Sequence, residues 1–341
     1  MPGTTALLFQ THFFDAWCER AFRRLASACP PHFRPTVLIH LPPGAPLPER
    51  LAKVPHHVVR TPEMRVPAYG AKAHGEPWDL WRGGHTDLIL LHYFRAQPDH
   101  DRYWIIEYDV RFSGDWARFL SAYEEDDTDL LAPGLIDREA DPDWYNWPSI
   151  AGPRDLPAGQ QLRAFMPVFR ASAAMMRRMD TAYREGWCGH CEGTWPTLAR
   201  EGGLSFADLG GDGPYTPERY RGRFYSSTPQ AVFLAPGTLV FKPAMYRMGR
   251  RPDMLWHPVK PFFWRDEVKE GLRDIWRRAG MIVRAGITAA GLPLPAALRP
   301  GAWEAAQARR RAERAQGGPG PLTLAPAPAE PSAAARDAGP S

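Results

Sequence analysis

Cysteine is scarce in this sequence. The 341 residues include only four, at the unevenly spaced positions Cys18, Cys29, Cys188 and Cys191. A disulfide framework in a chain of this size would need more of them, so the scarcity favours a reducing compartment. No secretory leader is expected either, because the first apolar stretch, 6–9, is only as long as a strand. We therefore expect a cytoplasmic protein.

Long apolar runs are also absent, and with them the pattern of a membrane-spanning helix. The nearest candidate, 279–298, includes Arg284, Pro293 and Pro295 together with several glycines. Such a segment suits a helix that packs on the domain or one that lies on a membrane surface, and the sequence leaves both open. The second alternative would give a bacterial protein a peripheral contact with the inner membrane.

Charge of one sign is present in only small excess. The 42 basic and 38 acidic residues give a formal net charge of +4, and much of the surplus lies in the Arg-rich stretch 309–314. This balance gives little support to a nucleic-acid partner, and none is expected. One segment, 219–225, mixes arginine with aromatic residues and would suit a sugar, a phosphate, RNA or an ordinary solvated loop.

What the sequence does contain is ample material for a packed core, since 44% of its residues are apolar and 12% are aromatic. We expect one catalytic domain over 1–265 and a C-terminal helical extension over 266–316. The segment 317–341 consists mostly of Pro, Ala and Gly. It buries too little apolar surface to offset the entropy of ordering, so a disordered tail is expected.

Apolar runs of strand length alternate with helical patterns. Strands are predicted at 5–10, 36–40, 57–61, 103–108, 129–132, 165–169, 204–209 and 238–242, and helices at 14–28, 86–96, 172–185 and 194–200. This alternation predicts a parallel sheet in an open, doubly wound α/β fold. The polar segment 137–158 has no clear period and predicts a loop over one end of the sheet.

Two acids stand at the end of a predicted strand. Glu107 and Asp109 are two positions apart, and because side chains alternate along an extended chain, both would project to the same side. Ligands bind at the carboxyl ends of strands in open α/β sheets, and Mg²⁺ or Mn²⁺ prefers carboxylate oxygens there. The spacing alone also fits a structural role, in which the acids cap the helix that starts near Asp115 or pair with Arg111 and Arg118.

The surrounding residues resemble a known family. The stretch 107–116, Glu-Tyr-Asp-Val-Arg-Phe-Ser-Gly-Asp-Trp, resembles the DxD-type motif of GT-A glycosyltransferases, in the form ExDV-x-F-x-G-x-W of a glycosyltransferase-like family. The resemblance extends to 81–87, 167–172 and 189–199, and covers about 5–262. It implies a GT-A-like (nucleotide-diphospho-sugar transferase) α/β fold, with a mostly parallel open sheet flanked by helices.

The resemblance also implies an activity, the metal-dependent transfer of a sugar from a nucleotide-sugar donor to an acceptor hydroxyl, with inversion. The resemblance leaves the acceptor open. A saccharide or lipid-linked saccharide, as in the synthesis of a cell-surface polysaccharide, is expected because a basic amphipathic C-terminal stretch suits the inner membrane surface. A non-catalytic protein that keeps this fold and binds glycans or nucleotides is the alternative, because a fold does not guarantee chemistry.

The resemblance assigns roles to individual residues. Asp109 would bind the divalent metal, Mn²⁺ or Mg²⁺, with Glu107 as its helper, although Glu stands here in place of the usual first Asp. Glu192 would be the base that removes the proton of the acceptor hydroxyl, or an acid favoured by the dipole of a helix that begins near Trp195. His257 would be a further metal ligand or an ordinary structural histidine.

Four more residues complete the implied donor site. Lys260 would meet the donor diphosphate, on which negative charge develops as it leaves. Thr11 and His12 follow the first strand, where nucleotide contacts are implied. Gly84 would let the backbone approach the donor, unless it merely forms a turn.

The string 188–191, Cys-Gly-His-Cys, lacks a fourth ligand for structural zinc, so buried thiols are expected there.

Overall fold

The computed structural model describes residues 3–75, 78–81, 83–226, 237–241 and 244–260, together with the isolated positions Val283, Ile287, Leu292 and Pro295. All elements named below belong to the first of two units of the chain, Met1–Gly271. Apart from those four positions, the predicted extension 266–316 and tail 317–341 lie outside the described residues. The domain limits therefore stay predictions. In the described part, no helix is long and apolar enough to cross a membrane.

The described part has strands and helices in alternation. The strands are β1 Thr5–Thr11, β2 Phe33–Leu41, β3 His56–Arg60, β4 Arg102–Glu107, β5 Arg111–Phe112, β6 Leu130–Leu131, β7 Ile136–Asp137, β8 Leu162–Arg163, β9 Val168–Ser172, β10 Phe206–Ala207 and β11 Leu255–Trp256. The helices are α1 Ala16–Ser27, α2 Thr61–Met64, α3 Gly70–His74, α4 Asp87–Ala96, α5 Trp116–Ser121, α6 Ala173–Arg184 and α7 Cys191–Glu201.

The central sheet has seven strands in the order β10-β6-β9-β4-β1-β2-β3. The four adjacent strands β4, β1, β2 and β3 run parallel to one another, whereas β9 is antiparallel to both of its neighbours, β4 and β6. Two short antiparallel ladders, β5 with β11 and β7 with β8, lie beside it. The predicted fold class, α/β with a mostly parallel open sheet flanked by helices, is confirmed.

Strand β1 shows why helices cover both faces of the sheet. All seven of its residues are buried. Ala6 and Leu8 pack in one apolar cluster with α4, α6 and α7, whereas Leu7 and Phe9 pack in a second cluster with α1 and α5. Because successive side chains point to opposite faces, a continuous apolar run requires cover on both sides, as is usual for parallel strands.

Two predictions of local structure are wrong. Helix α7 begins at Cys191 rather than near Trp195, because the side chain of His190 caps it by accepting the N–H of Glu192. The predicted strand at 238–242 is not formed by its described part, 238–241, where Leu239 makes only an isolated bridge to His257. The last residue of that predicted strand lies outside the described residues.

Candidate active site

Strand β4 brings the first of the two acids to the edge of the sheet. Glu107 is its last residue, and the chain then turns, because the N–H of Val110 donates to the carbonyl of Glu107 at 3.0 Å. Asp109 lies within this turn. The prediction that both acids lie on one side of an extended strand is therefore wrong in its geometry for Asp109. The two carboxylates nevertheless approach the same imidazole, that of His257.

His257, Glu107 and Asp109 form a compact cluster. The Nε2 atom of His257 lies 3.7 Å from Oε2 of Glu107 and 3.5 Å from Oδ1 of Asp109. One ligand atom from each of the three residues lies within 4.8 Å of the other two. The structure thus brings together the two acids and the histidine for which the resemblance implied a metal site.

A late segment of the chain carries His257 to the acids. Its strand β11 pairs with β5, which follows Asp109 almost directly. The N–H of Val259 donates to the carbonyl of Asp109 at 2.8 Å, and the N–H of His257 donates to the carbonyl of Thr238 at 2.9 Å. The same segment places Nζ of Lys260 3.5 Å from Oδ2 of Asp109. Backbone pairing therefore fixes both side chains at the cluster.

The cluster fits a divalent cation. Asp109 is 3% exposed, and among the described residues its Oδ1 has no hydrogen-bond partner. The Nδ1 atom of His257 donates to the carbonyl of Val240 at 2.8 Å, which leaves a lone pair on Nε2 toward the carboxylates. A buried carboxylate oxygen without a partner is costly unless a positive charge compensates it. Carboxylate oxygens and an imidazole nitrogen suit Mn²⁺ or Mg²⁺.

The pKa values in the cluster reflect this crowding. Burial raises the pKa of Glu107 to about 8, and the charges of Asp109 and Glu192 act in the same direction. Burial lowers the pKa of His257, against the opposing charge of Asp109. The imidazole thus stays neutral and able to bind a metal, and a cation would favour ionisation of Glu107.

Glu192 lies in the first turn of α7, close to the cluster. Its Oε1 accepts the N–H of Met166 at 3.4 Å, and its Oε2 lies 3.7 Å from Nδ1 of His190. Burial raises the pKa of Glu192 to about 7, although the N–H of Met166 and the charge of Arg163 act in the opposite sense. Its charge also raises the pKa of Glu107. A carboxylate of this kind can accept a proton near neutral pH.

Other residues fill the structural roles that the spacing had left open for the two acids. Asp115 caps α5 by accepting the N–H of Ala117 at 3.0 Å. Arg111 donates to backbone carbonyls and lies over the ring of Trp17. Arg118 forms an ion pair with Asp253.

Thr11 and His12 lie at the end of β1. The hydroxyl of Thr11 donates to the carbonyl of Phe13 at 2.6 Å. The ring of His12 meets those of Trp81 and Tyr108 edge to face, at centroid distances of 5.2 and 5.1 Å. Desolvation lowers the pKa of His12, the charge of Asp109 opposes this shift, and the charge of Lys260 adds to it. His12 therefore lies within electrostatic reach of the cluster.

Sequence reasoning missed Lys72, which is fully buried in α3. Its Nζ lies 3.1 Å from Oδ1 of Asp87 and donates to the carbonyls of Gly84 at 3.0 Å and Gly189 at 2.8 Å. A lysine in a short polar helix gives no sequence signal of burial. Gly84 has φ +63°, and a Cβ there would lie 2.4 Å from the ring of His190. The absence of a side chain thus lets the backbone of Gly84 approach His190, the N-cap of α7. Contact of Gly84 with the donor stays a prediction.

The remaining predicted features have internal partners or are buried. All four cysteines are free, as expected. Of the two thiols expected to be buried in 188–191, Cys191 is buried and Cys188 is only partly buried. In the segment 219–225, Arg219 pairs with Asp126 at 2.6 Å, and the hydroxyl of Tyr220 donates to the same carboxylate at 2.8 Å. Arg219 and Tyr220 therefore join this segment to the part of the fold that carries Asp126.

No family model matches the chain, and no curated protein matches its sequence. Among solved structures, the chain is similar to mouse xyloside xylosyltransferase 1 in its apo form, at 9% identity and a TM-score of 0.31, over 61% of this chain and 85% of that one. It is similar to core-mannan synthase A from Aspergillus fumigatus in its Mn/GDP form, at 12% identity and a TM-score of 0.32, over 60% and 72%.

A third similar structure is the inositol-1-phosphate CTP transferase from T. maritima, at 12% identity and a TM-score of 0.27, over 61% of this chain and 85% of that one. Because all three TM-scores lie below 0.5, we base the function of this chain on the geometry of its own residues.

Proposed function

We propose that the protein is a metal-dependent glycosyltransferase of the GT-A type, which moves a sugar from a nucleotide-sugar donor to an acceptor hydroxyl. The observation that carries the proposal is the convergence of Glu107, Asp109 and His257, with a buried oxygen of Asp109 that has no hydrogen-bond partner in the part of the chain that the structure describes. Lys260 and Glu192 add a cation and a candidate base to the same region.

Glu107, Asp109 and His257 would hold Mn²⁺ or Mg²⁺. Such a cation, when bound, supplies positive charge that neutralises the donor diphosphate. Lys260 would supply a second positive charge for the diphosphate, because its ammonium group lies beside Asp109. The nucleotide end of the donor would contact Thr11, His12 and Gly84. The edge-to-face contacts of the His12 ring with Trp81 and Tyr108 support this assignment.

Glu192 would act as the general base. Its carboxylate accepts the proton of the acceptor hydroxyl while that oxygen forms a bond to the anomeric carbon of the donor. The bond between the anomeric carbon and the phosphate oxygen breaks, and its electron pair leaves with the nucleoside diphosphate. Attack opposite the leaving group inverts the anomeric configuration. The proposed acceptor is a saccharide or lipid-linked saccharide, reached in the cytoplasm or at the inner membrane surface.

Donor hydrolysis tests this proposal without knowledge of the acceptor. The purified chain is incubated with Mn²⁺ and a panel of nucleoside-diphosphate sugars, and released nucleoside diphosphate is measured. We expect slow release from one donor, which EDTA abolishes and which Asp109→Asn lowers at least about 100-fold. The matched control is Asp127→Asn, because the side chain of Asp127 is 93% exposed.

The outcomes separate the proposal from its alternative. Metal-dependent nucleotide binding without turnover of any donor would favour a binding protein with this fold. Binding and hydrolysis that are both indifferent to Mn²⁺ and EDTA would overturn the metal-dependent reaction.

A further inference from the structure

Two aromatic side chains lie on the surface near the N-terminal end of α7. Tyr145 is 67% exposed, and its ring centroid lies 6.4 Å from that of Trp144. Trp144 is only partly buried, and its ring lies 5.8 Å from that of His190, the N-cap of α7. We call Trp144 and Tyr145 the aromatic pair. It extends outward from the turn that carries Glu192.

The absence of a side chain at Gly193 permits this arrangement. A Cβ at that position would lie 3.0 Å from the ring of Trp144, so a larger residue would push the ring away from α7. The imidazole of His190 also lies near the candidate base, with its Nδ1 3.7 Å from Oε2 of Glu192. The aromatic pair and the candidate base are therefore both neighbours of His190.

Trp144 is held in place by its neighbours. Its ring packs edge to face on the buried Trp147 at 4.8 Å. The guanidinium of Arg163 lies 5.8 Å over the ring of Trp144 and pairs with Asp141 at 2.5 Å. The indole N–H of Trp147 donates to the carbonyl of Asp141 at 2.8 Å. A ring fixed in this way loses little conformational entropy when a ligand packs against it.

We propose that the aromatic pair is the acceptor subsite and that it binds the apolar face of a pyranose ring, with one sugar hydroxyl directed toward Glu192. This inference rests on the proposed function. A pyranose presents C–H groups on one face and hydroxyls at its edge, which suits aromatic rings beside a carboxylate. An acyl chain would pack on the rings equally well but would offer Glu192 no proton to remove.

Saturation-transfer NMR tests the subsite directly, with methyl pyranosides of glucose, galactose and mannose as probes and the full chain as receptor. We expect at least one probe to receive saturation mainly at its ring C–H protons. Tyr145→Ala should weaken its binding about tenfold or more, and Tyr145→Phe should retain it. Tyr246→Ala is the matched control, because Tyr246 is a second tyrosine of similar exposure, 61%. Donor hydrolysis without acceptor should be unchanged in Tyr246→Ala, and it should still proceed in both Tyr145 variants because it needs no acceptor sugar.

The two proposals can fail separately. If no pyranoside binds, or if Tyr145→Ala binds as the unaltered chain does while donor hydrolysis proceeds, the subsite is overturned and the transferase stands. If a pyranoside binds through Tyr145 but no donor is hydrolysed, the subsite stands as a glycan-binding surface and the transferase is rejected.

Discussion

At the scale of single residues, Asp109 is the most constrained group of the site. Its backbone carbonyl accepts a hydrogen bond from Val259, its Oδ2 faces Lys260, and its Oδ1 is buried without a partner among the described residues. The pairing of Oδ2 with Lys260 and the buried Oδ1 both depend on the negative charge of the carboxylate, whereas the backbone hydrogen bond from Val259 does not. A substitution that keeps the shape and removes the charge therefore tests the affinity for a cation and leaves the backbone pairing in place.

We expect Asp109→Asn to weaken Mn²⁺ binding at least about 100-fold, because loss of a ligand should exceed the 10–100-fold effect of removing a group that only orients a ligand. Titration calorimetry of the purified chain with MnCl₂ measures this. Asp127→Asn, with a largely exposed carboxylate, should bind Mn²⁺ as before. An affinity that survives Asp109→Asn would exclude Asp109 as a ligand.

Glu192 gives the activity a predictable dependence on pH. A base must be ionised to accept a proton, and burial raises the pKa of Glu192 to about 7 from an ordinary value near 4.5. The ionised fraction therefore falls as the pH drops through about 7. We expect kcat for transfer to a saccharide to decrease below that pH, and Glu192→Gln to lower kcat about 10²–10⁴-fold. A pH profile that stays flat from 8 to 5 would contradict the assignment.

Individual residues differ in how much the sequence reveals of them. Glu107 and Asp109 are recognisable because they follow an apolar strand, and their resemblance to a motif adds His257. The sequence gives no sign that Lys72 is buried, because its partners come from two other parts of the chain, Gly84 and Asp87 from one and Gly189 from the other. Only the folded chain brings those four groups together.

At the scale of elements, the N-terminal end of α7 determines where Glu192 lies. Lys72 ties the carbonyl of Gly189 to that of Gly84, and its partner Asp87 also accepts the indole N–H of Trp195 at 2.9 Å. This buried ion pair joins α3, α4 and α7. Removing one partner leaves the other charge buried and uncompensated.

We expect Lys72→Met to lower the free energy of unfolding by about 3–5 kcal/mol, measured by urea denaturation. The exposed Lys53 offers the control Lys53→Met, which should change stability by less than about 0.5 kcal/mol. Where the variant still folds, Glu192 loses its support, so kcat should fall more than donor affinity does. A stability change as small as that of the control would show that the ion pair contributes little.

The sequence predicts some strands and helices better than others, as it does single residues. Strands β1, β2 and β4 follow from their apolar runs, since a parallel strand covered on both faces needs apolar side chains. The short ladder of β5 with β11 has two residues on each side, too few for a periodic pattern. The sequence predicts too late a start for α7, because His190 provides the cap and histidine is not among the preferred N-cap residues.

At the scale of the whole molecule, the site is completed by contacts between distant parts of the chain. The hydroxyl of Ser113 donates to the carbonyl of Arg251 at 2.6 Å and accepts the indole N–H of Trp256 at 3.2 Å. With the pairing of β5 and β11, these bonds hold the segment that carries His257 against the end of β4. A cation shared by His257 and the two acids would add a further link between these parts.

Such a link should stabilise the folded chain as a whole, because a ligand that binds only the folded state shifts the unfolding equilibrium. At a free Mn²⁺ concentration of about 100 times Kd, the gain is about 2.7 kcal/mol. For a domain of this size, that corresponds to a rise in Tm of about 5 °C. Thermal denaturation with MnCl₂ or with EDTA measures the rise, and His257→Gln should remove most of it. Amide hydrogen exchange at Val259 should slow with Mn²⁺ in the unaltered chain alone. If Tm rises without that local protection, the cation binds elsewhere, and the late segment has no part in holding it.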